Sequence, residues 1–248
     1  MFLSAFEISP ATSVSEIVTH DYRTAEVFRK YDIEYCCGGK WLLETVCIMK
    51  GLSFDKLKRE LHLVSRNTDI STSLPYETWD VDFITNYIIN VHHQYLRTTL
   101  PVTEEILTEF LADHEKKFPY MVKVKNSFDL MKKDIIPHIK HEEETIFPYI
   151  CQVSHAYENN DSYARLLVKT LRKPLDSMMR HEDDMLSAPI LNIRNLTNHY
   201  TVHEKACVIH KVVISRLKEL DNDLMQHIFL ENEVLFPRTL KIEQELLK

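Results

Sequence analysis

The sequence predicts an all-α protein: a small N-terminal helical domain over residues 1–65, a linker over 66–79, and an up-down four-helix bundle over 80–248. Three observations carry that expectation. Only three glycines occur among 248 residues, Gly38, Gly39 and Gly51. A long glycine-free stretch is poor material for hairpins and phosphate-cradling loops, which need positive φ or close backbone approach. Apolar residues recur at helical spacing through long segments. Finally, one motif is written twice. HIKHEEETIFP runs from His138 to Pro148 and HIFLENEVLFP from His227 to Pro237; both read H-I-x-x-E-x-x-x-[IL]-F-P, 89 residues apart.

The elements follow in order. Ser13 and Glu16 have capping-box spacing, and "IVTHDYRTAEVFRKY" after them places Ile17, Val18, Ala25, Phe28 and Tyr31 on one helical stripe. "DIEYCCGGKW" interrupts with a turn, and two short helices follow, "LLETVCIMK" and "SFDKLKREL". The polar, proline-bearing "SRNTDISTSLPYETW" reads as the linker. From Asp80, "DVDFITNYIINVHHQYLRTTL" is the first bundle helix, and a second helical stretch starts near Glu104, with an interruption at Pro119. The second bundle helix then runs to about Ile150. "NNDSYARLLVKTLRKPLDSMMRHEDDML" is the third, with Asp161 or Ser162 as cap, and "HEKACVIHKVVISRLKELDNDLMQHIFLENEVLF" is one long fourth helix. Four helices joined by turns make a bundle.

Composition bounds the partners. A formal net charge of −7 gives no general basic field for nucleic acid or anionic membrane. The start lacks a basic, apolar leader, and no run approaches the length of a membrane span. Five cysteines, an odd number, fit reduced thiols in the cytoplasm better than a disulfide scaffold. Thirteen histidines demand an account, since imidazole is the commonest metal ligand.

The duplicated motif supplies one. Residues i and i+4 share a helix face, so His138 projects with Glu142, and His227 with Glu231. Two helices that each present a histidine and a carboxylate can enclose a pair of metal ions, with glutamates bridging through both oxygens. Mixed imidazole and carboxylate ligation suits iron, and zinc or manganese less well. One such pair alone is usually a surface pair. Its recurrence beside apolar Ile-Phe-Pro and Leu-Phe-Pro tails argues for burial, where an unpaired glutamate would be costly. The Glu-x-x-His spacing of ferritin-like di-iron bundles occurs nowhere in the chain.

Together, the two motifs, the "YCCGG" unit and a histidine-bearing first bundle helix resemble the RIC family, the di-iron proteins of iron–sulfur cluster repair. The resemblance covers nearly the whole chain. It implies a small Cys-Cys-Gly-Gly domain before a hemerythrin-like bundle holding a non-haem di-iron centre, with an oxo or hydroxo bridge and bridging glutamates. It assigns His138, Glu142, His227 and Glu231 to the second and fourth helices. On the first helix, "VHHQYLRTTLP" offers His92 and His93, and helical phase does not separate them. The family sets its ligand eight residues before a Leu-Pro proline, so Pro101 selects His93, with His92 in reserve. "MMRHEDDML" resembles the third-helix segment and assigns His181. The implied function is repair of iron–sulfur clusters damaged by nitrosative or oxidative stress, through iron donation. Damaged iron–sulfur proteins would be the clients, nitric oxide or dioxygen the small ligands, and a homodimer stays open. A dioxygen or nitric oxide sensor or carrier, and a nitric oxide reductase, are the alternatives.

Other histidines and the cysteines have plainer readings. His203 lies 24 residues before His227, roughly 36 Å along a continuous helix at about 1.5 Å per residue, so His199 and His203 are surface or helix-start residues. His114 is likewise too far from His93 unless Pro101 reverses the chain. Cys36 and Cys37 are either redox or docking thiols exposed by a glycine turn, or small buried residues closing a helix. Cys47, Cys151 and Cys207 read as core positions.

Overall fold

The computed structural model describes residues 7–35, 39–65, 74–173, 175, 188–203 and 206–248. It is all-α; among the described residues there is no strand, only an isolated antiparallel bridge between Ser13 and Leu42. Two compact units emerge: Met1–Ser71 with Tyr200–Lys218, and Thr72–His199 with Glu219–Lys248.

The first unit begins with α1 (Val14–His20) and α2 (Thr24–Lys30). Ser13 caps α1 as its spacing predicts: Ser13 Oγ accepts from Glu16 N–H at 3.3 Å, and Glu16 Oε2 accepts from Ser13 N–H at 2.8 Å. The single stripe expected to Tyr31 is instead two short helices. Asp21 breaks it, because its carboxylate accepts from the Arg23 backbone and guanidinium, and a local side-chain acceptor competes with helical bonding. α3 (Leu43–Lys50) and α4 (Phe54–Val64) follow. Gly51 closes α3 at φ +65°, the left-handed conformation glycine takes without strain. Gly39 is needed for closeness: a Cβ there would lie 2.3 Å from the Tyr35 carbonyl oxygen.

In the second unit α5 (Val81–Tyr87), π1 (Ile88–His93) and α6 (Gln94–His114) form one uninterrupted helix. The separate stretch expected from Glu104 is part of it, and Pro101 sits inside. An interior proline costs about 3 kcal/mol. Leu96, Leu100, Ile106, Leu107 and Phe110 are all fully buried beside it, each contributing about 1.5–3 kcal/mol, so packing overrides the breaker. α7 (Tyr120–His141), π2 (Glu142–Ile146) and α8 (Phe147–Glu158) form the next rod, starting just after Pro119.

α9 (Ala164–Leu171) starts after Tyr163, without the side-chain cap expected of Asp161 or Ser162. Residues 188–196 form α10. α11 (Val208–Phe229), π3 (Leu230–Leu235) and α12 (Phe236–Leu247) make the last rod. It starts later than expected, leaving His203 outside. Helix packs on helix throughout this unit: α6 on α7, α5 on α8 and π3, α12 on α8 and α9. Ile84, Ile88, Ile150, Val153, Leu230, Leu235 and Phe236 are at its core. No helix among the described residues is long and apolar enough to cross a membrane.

Candidate metal centre

Three π-helical turns carry His93, Glu142 and Glu231, and the α-helices leading into the last two carry His138 and His227. In a regular α-helix consecutive side chains point about 100° apart, and a π-turn opens the winding and shifts that phase. Here His92 and His93 are both fully buried at the end of π1, and Leu230 and Glu231 are both fully buried in π3. The repeated motif encodes two of these turns. Phe147 N–H donates to the Glu142 carbonyl, and Phe236 N–H to the Glu231 carbonyl, each a bond to the fifth residue back. The prolines that follow, Pro148 and Pro237, have no N–H, and in regular winding their rings would crowd the carbonyl four residues before. A wider turn relieves that clash. The fixed Glu-to-Phe-Pro interval is therefore the sequence of a π-turn built around each glutamate, the kind of irregularity that gathers at functional sites.

The side chains converge. One donor atom each from His93, Glu142, His227 and Glu231 lie within 4.8 Å of one another, all buried. His93 Nε2 is 3.1 Å from His227 Nε2 and 3.5 Å from Glu142 Oε2; His227 Nε2 is 2.9 Å from Glu231 Oε1. His138 Nε2 stands 3.1 Å from Glu142 Oε1, just outside that group.

Outer partners orient the ligands. His93 Nδ1 is 2.8 Å from Glu143 Oε1, and Arg97 grips both Glu143 oxygens at 2.9 and 2.8 Å. Burial works to raise the Glu143 carboxyl, but Arg97 and His93 outweigh it and hold it low. As a carboxylate it accepts from His93 Nδ1–H and turns Nε2 toward the cluster, the arrangement usual for metal-binding histidines. His92 Nδ1 lies 2.9 Å from Asp223 Oδ1, and its ring stacks on His227 with centroids 6.0 Å apart.

Protonation states favour a cation. Burial pushes His227 well below the ordinary imidazole value despite the pull of Glu142, so it is neutral at pH 7. Burial also works to raise the Glu142 carboxyl, but His138 and His93 outweigh it and keep it ionised. Glu142 is wholly buried, and its ion-pair partners are imidazoles: His138, His93 and His227. A wholly buried carboxylate is costly unless positive charge lies beside it, which a bound cation would supply. The donor set fits a divalent transition metal.

Of the predicted site residues, the structure brings together His93, His138, Glu142, His227 and Glu231. His181, Cys36 and Cys37 lie outside the described residues. His199 and His203 are exposed, and His114 rests on Phe110, 3.2 Å from its carbonyl oxygen. Cys47 is buried and Cys151 half-buried, its thiol pushed up to about 11 by burial. Cys207 is half-buried and precedes α11 rather than lying in it. Arg97, Glu143 and Asp223 were not singled out from sequence. Arg97 follows His93 by four and Asp223 precedes His227 by four, the same spacing that pairs each motif's histidine and glutamate.

Known proteins are similar to this chain in sequence. Residues 85–239 match the hemerythrin HHE cation binding domain, and residues 11–65 match ScdA_N, a domain of unknown function (DUF542). The iron-sulfur cluster repair protein ScdA of Staphylococcus epidermidis is 26% identical over 91% of this chain and 96% of its own length. The iron-sulfur cluster repair protein YtfE of Enterobacter sp. is 29% identical over 92% of this chain and 96% of its own, and that of Dickeya chrysanthemi 27% over 93% and 97%. With the cation-binding model covering more than half of the sequence and an ScdA_N unit ahead of it, this chain belongs to the hemerythrin HHE family, in the two-part form it shares with the iron–sulfur cluster repair proteins.

Proposed function

We propose that this protein repairs damaged iron–sulfur clusters in the cytoplasm by donating iron from a di-iron centre. The observation that carries the reading is the buried meeting of His93, Glu142, His227 and Glu231, in a chain similar end to end to repair proteins. In this reading His93, His138, His181 and His227 are terminal ligands and Glu142 and Glu231 bridge two irons, with an oxo or hydroxo group between them. Residues 80–248 are the iron-holding bundle, residues 1–65 a separate domain carrying Cys36 and Cys37, and 66–79 the linker, whose end, with Tyr76 and Trp79, packs on the bundle core. Damaged iron–sulfur proteins are the clients.

Bound iron would supply transferable metal and one-electron redox chemistry. The chain's own groups set how firmly it is held. Four imidazole nitrogens and four carboxylate oxygens leave positions open on two six-coordinate ions, unlike a closed structural site, and those positions admit nitric oxide or dioxygen. Burial is outweighed by His138 and His93, so Glu142 stays ionised at neutral pH and would meet a cation as a carboxylate. Glu143 and Arg97 keep His93 aimed throughout.

Metal analysis of the purified protein beside Glu142→Leu tests the centre: about two irons in the native chain and a clear loss in the variant are expected. Full retention in the variant refutes the bridge. Incubating the loaded protein with an apo iron–sulfur protein then tests donation, and failure to restore its cluster refutes the repair role.

A further inference from the structure

A file of aromatic rings leads from the surface to the metal cluster. Trp79 is half-buried, flanked by Tyr76 at 4.9 Å and by Phe83 at 4.8 Å between ring centroids, and Phe83 is 53% exposed. Trp79 meets Tyr87 at 5.3 Å, Tyr87 meets His92 at 5.6 Å, and His92 stacks on His227 at 6.0 Å with 16° between the planes. His227 belongs to the group of four donors. Every ring lies in one compact unit.

Packing alone explains any single pair, but it does not explain the choice of side chains. The Tyr87 hydroxyl and His92 Nε2 are buried without a hydrogen-bond partner. Each such group carries a desolvation cost of about 1–3 kcal/mol that phenylalanine or leucine would avoid. Tryptophan and tyrosine are the aromatic side chains most readily oxidised by one electron, and here they stand in line with a redox metal site.

We infer that Trp79, Tyr87 and His92 form a one-electron conduit that drains oxidising equivalents from the metal centre to the protein surface. The inference rests on the di-iron reading above. In the step, an over-oxidised centre gains one electron and Trp79 loses it. The indole N–H proton leaves to water, giving a neutral indolyl radical. Tyr87, His92 and His227 pass the electron and return unchanged. A thiol-class reductant in solution then gives the indolyl radical an electron and a proton, and becomes a thiyl radical. Oxidant generated at the centre thus ends on a replaceable small molecule rather than on a ligand imidazole.

The test uses the full-length, iron-loaded, reduced protein mixed with hydrogen peroxide, freeze-quenched and read by electron paramagnetic resonance. A tryptophan radical is expected in the native chain and in Trp41→Phe, which removes the other tryptophan. Loss of that signal is expected in Trp79→Phe and in Tyr87→Leu, with iron content retained. No organic radical in the iron-loaded native chain, or an undiminished tryptophan radical in Tyr87→Leu, overturns the conduit while leaving iron donation intact.

Discussion

Replacing Glu143 separates orientation of a ligand from the ligand itself. Glu143 touches the cluster only through His93, at 2.8 Å, and is anchored by Arg97. Loss of such an outer partner typically costs about 10–100-fold in metal affinity, or about 1.4–2.8 kcal/mol. Glu143→Gln keeps a carbonyl acceptor and loses only the charge assistance, which roughly halves the bond's strength, so about tenfold is expected. Glu143→Ala removes the acceptor and should approach about 100-fold. The abandoned Arg97 is 37% exposed and rehydrates, so the metal-free fold should lose no more than about 1 kcal/mol. Chelator competition at fixed pH measures the first quantity, and denaturant unfolding of the metal-free protein the second. Unchanged affinity in Glu143→Ala, or a stability loss larger than the affinity loss, would show that Glu143 holds the fold and not the ligand.

Other expectations concern the same level of the bundle. Glu142→Leu should lose metal and also lower metal-free stability, since it removes one partner of the buried contacts to His138, His93 and His227; denaturant midpoints check the sign. His227 has a folded value depressed below its unfolded one of about 6.5. The unfolded chain therefore takes up a proton that the fold refuses. Metal-free stability should fall on acidification below that point by up to about 1.4 kcal/mol per pH unit from this group, and His227→Asn should flatten the slope between pH 7 and 5. Pro148→Ala restores an N–H and removes the ring clash, so regular winding can compete with π2. Metal affinity should drop without loss of helicity by circular dichroism, and unchanged affinity would refute the role given to the proline.

Much of the site could be read from the chain because the ligand pairs sit four residues apart and the motif repeats. The choice between His92 and His93 could not be made from helical phase, because phase assumes 3.6 residues per turn and π1 departs from it. The same departure buries both rings and gives each a different carboxylate partner. Pro101 misled for a related reason: a local penalty is visible in one residue, whereas the packing that overrides it is spread over five buried side chains along the same helix. In the N-terminal unit the capping box was legible because both partners are local. The break at Asp21 was not, because hydrophobic period outvoted a single side chain with two bonds to make.

The prolines behind the two glutamates act as pawls. A helix emptied of its ion would ordinarily shed a wide turn and settle into regular winding, rotating its carboxylate away. Pro148 and Pro237 oppose that relaxation by about 3 kcal/mol each, since the tighter path drives each ring into a carbonyl. Each carboxylate is therefore biased to face the cluster before any cation arrives, so a cation would meet a site already shaped for it.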